Sequence, residues 1–194
     1  LPLTDFSPGQ ILTATHVDSI IRQTTVAFAS TAARDAAYAA IGGATEGQIS
    51  YMTDAPNRLE YFDGFAWRKI TQEGQSFTPA WTNLTTGNGT QTAAYGYDGP
   101  FLWFQVAMFF GSSSSMGTNP SFVIPGGHAA VGTNNGSGLC VDSSGSQGYS
   151  CDWFTGNTQT SIVIATSSGY LTATNPMTWA TSDAVHVSGK IRIL

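Results

Sequence analysis

Charge is scarce in this chain. Asp, Glu, Lys and Arg make up only 10% of its 194 residues, against roughly 25% in an average soluble domain. Seven Lys and Arg face twelve Asp and Glu, giving a net charge of −5 with three His neutral. A basic groove for nucleic acid is thereby excluded. Long apolar runs are also missing: the longest, Phe101 to Phe110 (FLWFQVAMFF), falls well short of the ~20 residues that a membrane-crossing helix needs. The opening LPLTDFSPGQ has neither the basic stretch nor the apolar core of a signal peptide. No Met stands first, which reads as a trimmed or processed start. Cys140 and Cys151 are the only cysteines, so the paired C-x-x-C spacings of common zinc sites are absent. No period of 20–50 residues repeats, which speaks against a propeller or β-helix.

Reactive constellations are equally sparse. His16, His128 and His186 show no metal-ligand spacing. No G-x-S-x-G nucleophile elbow is present. After residue 77 the only acids are Asp98, Asp142, Asp152 and Asp183, all near turns or strand ends. A hairpin would bring Asp142 toward Asp152, the kind of pair glycoside hydrolysis requires, but a solvated structural role is the simpler reading. Gly126-Gly127 and Gly136-x-Gly138 lack the strand–loop–helix setting of a phosphate cradle. No catalytic residue, metal ligand set or cofactor site is therefore expected.

What the chain does contain is aromatic bulk. Eleven Phe, seven Tyr and five Trp within 41% hydrophobic residues are enough to build a packed core, and they exclude a disordered chain. The grammar changes near Gly74 to Pro79. Residues 1–76 carry most of the charge; residues 77–194 carry most of the 22 glycines. We read a small module over 1–76 and a medium domain over 77–194.

In the first region Thr13 precedes Val17, Ile20 and Ile21, spaced for one face of a short helix. Thr24 to Phe28 reads as a strand. Ser30 caps an alanine-rich run, TAARDAAYAA, that stops at Gly42-Gly43. So little side-chain bulk obliges that helix to pack closely against something. The period then switches to two: Gln48–Met52, Arg58–Phe62 and Trp67–Ile70 form a β-meander with turns at Asp54–Asn57 and Asp63-Gly64. A meander this small is marginal alone.

The second region reads as strands at Thr82–Thr86, Thr90–Tyr97, Phe101–Phe110, Ser121–Ile124, His128–Thr133, Leu139–Asp142, Tyr149–Phe154, Thr160–Thr166, Tyr170–Ala173 and Ala184–Ile193. Gly87-Asn88-Gly89 signals a hairpin between the first two. Leu102, Phe104, Val106, Met108 and Phe110 share one face of the longest strand, and Phe101, Trp103 and Gln105 share the other. Near the end Val185, Val187 and Ile191 alternate with His186, Ser188 and Arg192. The class is mainly β: a helix-plus-meander module followed by a β-sandwich, jelly-roll-like.

The cysteines read as structural, either buried thiols or one disulfide. If Ser143 to Gly148 form a hairpin loop, Cys140 and Cys151 face each other at bonding distance. Tyr97, Tyr149 and Trp153 lie beside Gly-rich turns, which makes them candidates for a ligand surface. A surface of Ser, Thr, Asn and Gly suits neutral sugars, and sheet edges with few Lys invite burial against identical subunits.

The stretch FASTAARDAAYAAIGGATEGQISYMTDAPNRLEYFDGFAWRKI (28–70) resembles a module of tail and fibre proteins of phages infecting actinobacteria. Phe28, Ala33-Arg34-Asp35, Glu46-Gly47, Tyr51, Leu59, Tyr61, Asp63-Gly64 and Trp67 carry the likeness. PGQILTATHVDSIIRQ looks like their N-terminal segment, and FTPAWTNLTTGNGTQTAAY and NPMTWATSDAVHVSGKIRI resemble their C-terminal β domain. The resemblance implies a non-enzymatic virion structural protein, a homotrimer exposed on the particle, anchored by its front portion with the β domain projecting outward. Val17, Ile20, Ile21, Phe28, Tyr61 and Trp67 are then the expected oligomer and anchor residues. The expected partners are other copies of the chain, other virion proteins of the tail or capsid, and a host cell-surface glycan, with no nucleic acid and no membrane insertion. A minor tail or short fibre-like component is the first expectation, a trimeric capsid decoration protein or head fibre the second, and a secreted carbohydrate-binding module the third.

Overall fold

The structure is a computed structural model that describes residues 13, 24–54, 56–72, 74–167 and 169–193. The expected helix carrying Val17, Ile20 and Ile21 lies outside the described residues, as does His16. The fold is mainly β and sandwich-like, and the chain divides into two compact units, Leu1–Glu73 and Gly74–Leu194.

The first unit contains β1 (Val26–Phe28), α1 (Thr31–Ala40), β2 (Ile49–Met52), β3 (Arg58–Phe62) and β4 (Trp67–Gln72). Its strands lie in that order, with β1 parallel to β2 and the rest antiparallel. Ser30 Oγ accepts the Ala33 N–H at 3.1 Å, satisfying one orphan donor at the start of α1. At the other end Gly43 N–H donates to Tyr38 O and Gly42 N–H to Ala39 O. This is the Schellman pair of bonds, for which Gly42 adopts φ +87°.

Among the alanines of α1 the buried residues are Arg34 and Tyr38, one turn apart. Tyr38 packs 5.6 Å from Phe28 and 5.3 Å from Trp67, centroid to centroid. The Arg34 guanidinium stands 4.4 Å above the Trp67 ring and bonds Glu60 and Asp35. Glu60 also accepts from Arg58 Nε at 2.8 Å, and Arg58 Nη1 holds Asp54 at 2.8 Å. An apolar core this small thus closes around a paired-charge network, the condition under which buried charge is tolerated. On the opposite face Ile49 stands across from Tyr61 and Tyr51 across from Leu59.

The second unit contains β5 (Gln75–Ser76), β6 (Trp81–Thr85), β7 (Thr90–Asp98), β8 (Phe101–Phe109), β9 (Ser115–Val123), a 3-10 turn (Pro125–Gly127), β10 (Asn134–Asp142), β11 (Gln147–Thr155), β12 (Ser161–Thr166), β13 (Gly169–Tyr170) and β14 (Ala184–Arg192). The path runs β7-β8-β14-β10-β11-β12-β9-β6, with β5 beside β7 and β13 beside β12. The β8·β14 and β9·β12 pairings are the crossover pairs of a jelly roll, whereas β10, β11 and β12 form a local meander. The path rolls over on itself. Phe104 of β8 meets Phe122 of β9 at 5.8 Å and Trp153 of β11 at 5.0 Å. Its two ends approach where Trp81 Nε1 of β6 donates to Gln91 Oε1 of β7 at 2.8 Å. Leu102, Phe104, Val106 and Met108 all point into the core, as their alternation requires.

Three local expectations are corrected. Gly87-Asn88-Gly89 does turn, with Gly89 N–H on Thr86 O, but β6 pairs with β9 and β7 with β8. The turn is instead tied to the Ser112–Ser113 turn, where Asn88 Oδ1 accepts the Ser113 N–H at 2.9 Å. His128–Thr133 forms no strand and makes a single bridge, Ala130 to Ile193. The β10–β11 turn is tighter than expected: Asp142 pairs with Gln147, so Cys140 faces Tyr149 and Cys151 faces Gly138. The cysteines are free and buried rather than bonded. The same register puts Asp152 opposite Ser137, far along the hairpin from Asp142.

Candidate functional site

Most of the expected ligand residues belong to the core. Trp153 is 1% exposed, and its indole Nε1 donates to Ser188 O at 2.9 Å. Gly136 and Gly189 form the floor beneath it: a Cβ on Gly189 would come within 2.0 Å of Trp153 Cζ2, and one on Gly136 within 2.6 Å of the ring. These two strand glycines leave the space that the indole occupies. Tyr97 is 7% exposed, its hydroxyl 2.7 Å from His128 Nε2, and burial pushes its phenol up to about 12. Tyr149 is half-buried against the same core and donates to Gln147 Oε1 at 3.1 Å. These three residues form no common surface.

The cysteine thiols carry no exposed reactivity. A hydrogen bond to Cys151, together with burial, raises Cys140 far above the ordinary thiol range. Asp142 closes its hairpin by accepting from Gly145 N–H at 2.7 Å and Ser144 Oγ at 2.8 Å, and these bonds hold its carboxyl below the usual value. Among the described residues no group of three or more His, Cys, Asp or Glu could hold a metal ion, and no helix is long and apolar enough to cross a membrane.

Of the expected anchor residues, Phe28 and Trp67 lie with Tyr38 in the cluster beneath α1. Tyr61 lies on the opposite face of the same sheet, with Ile49 and Tyr51. Ile49, Tyr51 and Tyr61 there are 36%, 39% and 40% exposed, and Phe65 at the β3–β4 turn is 94% exposed. Lone exposed apolar residues are ordinary; here Ile49, Tyr51 and Tyr61 share one face of the sheet.

A second surface lies on the outer face of β8, β14 and β10, which sequence reasoning did not single out. Gln105 pairs across from Ser188, and His186 across from both Ala107 and Leu139. Between them is a shallow depression of about 200 Å³, lined by Gln105, Ser188, His186 and Leu139 over the β10–β14 backbone. Gly138 lets β10 approach so closely, since a Cβ there would come within 2.4 Å of His186 O. Edge-on packing against Phe109 at 5.3 Å sets the His186 ring. Trp103 flanks the other side on the same face of β8, seated over Gly96, where a Cβ would meet Trp103 Nε1 at 2.6 Å. The alternations of β8 and β14 already placed these side chains outward. Their juxtaposition depends on pairing strands some eighty residues apart.

No protein-family model, no curated protein and no solved structure matches the chain.

Proposed function

We propose that this chain is a non-enzymatic structural component of a phage virion, a minor tail or short fibre-like protein. It assembles as a homotrimer through its first unit and presents the β-sandwich outward, toward the host surface. The observation that carries this reading is the exposed apolar group of the first unit, where Ile49, Tyr51 and Tyr61 lie together on a sheet whose other face packs against α1. A four-stranded sheet with one apolar face open is completed by a partner, and identical copies around an axis complete it with a single surface. The residues behind the resemblance to phage tail and fibre proteins fall on both sides of that sheet: Phe28, Arg34 and Trp67 inside, Tyr51 and Tyr61 outside. The charge-poor, polar surface of the second unit, with four Asp, one Lys and one Arg over 74–194, supports a presenting role.

Sedimentation of the full chain and immunogold labelling of intact particles test this together. The expected results are a trimer mass, its loss on Ile49→Asp with Tyr61→Asp, and label at the tail. A monomeric chain absent from particles overturns the reading, and label on the capsid replaces the tail assignment with that of a head fibre or decoration protein.

A further inference from the structure

We propose that the depression on the outer face of β8, β14 and β10 is a binding site for a neutral saccharide. Three polar side chains converge on it: the Gln105 amide, the Ser188 hydroxyl and the His186 imidazole. Among the described residues none of these three side chains is engaged in a hydrogen bond, and the His186 ring is set by its edge-on contact with Phe109. Together they supply hydrogen-bond donors and acceptors, which is what the hydroxyls of a polyol require. Leu139, 44% exposed, adds an apolar wall for the C–H face of a sugar ring.

No Lys, Arg, Asp or Glu lines it. The nearest ion pair on this face is Lys190 with Asp98 at 2.6 Å, each the other's partner; Lys190 stands across from Trp103 and Asp98 across from Phe101, at the end of the strip. Within the depression a charged ligand meets no Lys, Arg, Asp or Glu side chain, while a neutral one incurs no unpaired desolvation. Trp103 and Phe109 stand on the same face of β8 at either end of the strip, and six residues of strand separate them by about 20 Å. That length accommodates a short oligosaccharide lying along β8, with an aromatic ring at each end on which a sugar can stack. The site is built on rigid strands, so little ordering is required when a ligand binds.

This inference rests on the attachment half of the reading above, and the two fail separately: saccharide binding is measured on the purified full chain, virion incorporation on particles. The probes are methyl α-D-glucoside, methyl β-D-galactoside, methyl α-D-mannoside and cellotriose, with glucuronate and inorganic phosphate as charged counterparts. Binding is followed by saturation-transfer NMR and by tryptophan fluorescence. At least one neutral probe is expected to bind saturably and the charged ones not to bind. Gln105→Ala and Ser188→Ala are each expected to weaken binding about tenfold, the loss of one hydrogen bond, with circular dichroism unchanged because both residues are exposed. Failure of every neutral probe overturns the proposal, and so does binding that survives the double variant. Leu139→Asp supplies the remaining outcome: if it lowers the oligomer mass, the face is a contact between copies of the chain and the saccharide site is refuted.

Discussion

Trp153 provides the sharpest separation between a ligand residue and a core residue. Replacing it with Ala removes the largest fully buried side chain of the second unit and the Nε1 bond to Ser188 O. Trp-to-Ala truncations in cores cost about 3–5 kcal/mol, a large share of a typical domain's 5–15 kcal/mol. Gly189→Ala is the complementary perturbation. Its new Cβ would lie 2.0 Å from Trp153 Cζ2, nearer than atoms can approach, so the ring must move, at an overpacking cost of about 1–3 kcal/mol. In the Trp153→Ala background that methyl group enters vacated space and its cost disappears. The double variant should therefore be about as stable as Trp153→Ala alone, a coupling of about 1–3 kcal/mol. Independent sites add to within about 0.5 kcal/mol. Urea denaturation followed by circular dichroism measures all four corners of the cycle. Additive costs, or a Trp153→Ala chain of unchanged stability, refute the placement of the indole on Gly189.

Three further outcomes follow from the same packing. Glu60→Gln leaves Arg34 and Arg58 without their shared buried carboxylate and should destabilise the first unit by about 3–5 kcal/mol; amide exchange in β2 and β3 reads this, and a change below about 1 kcal/mol contradicts the network. Cys140 and Cys151 should resist iodoacetamide in the native chain, and both should react once urea unfolds it without reductant; a disulfide would leave the unfolded chain unlabelled. The Arg68 side chain and the N–H groups of Ala66 and Phe65 lower the Asp63 carboxyl from 3.8 to about 2. Its contribution is thus fully present above pH 3.8 and is lost as pH falls toward 2, and a carboxyl NMR midpoint near 3.8 refutes the contact.

Local chemistry was the legible part. The Ser30 cap, the Gly42-Gly43 stop and the β2–β4 meander depend on neighbours a few residues apart, and all stand where the sequence places them, within a residue or two. The alternation of β8 likewise declares which face is apolar. Long-range pairing was not legible, because a turn fixes direction without choosing a partner. Gly87-Asn88-Gly89 makes its turn, yet carries the chain from β6 to a strand that pairs elsewhere. Trp153 was misread for a related reason: glycines nearby in sequence resemble a loop, and only the sheet register reveals that Gly136 and the distant Gly189 clear room for a ring. The Gln105–Ser188–His186 depression could not be read at all, since its two principal strands are joined by no sequence signal beyond their separate alternations.

The position of β14 has a consequence for how the second unit comes into being. This strand follows all the others of the unit in the chain, yet it sits inside the path, between β8 and β10. Until residues 184–192 are synthesised and docked, β8 and β10 each present a bare edge and the core lacks Val185, Val187 and Ile191. Closing so distant a pair carries a large loop entropy before any contact repays it. Assembly of this unit is therefore a late, all-at-once event, and a nascent chain waiting for its keystone is exposed to edge-to-edge capture by its neighbours.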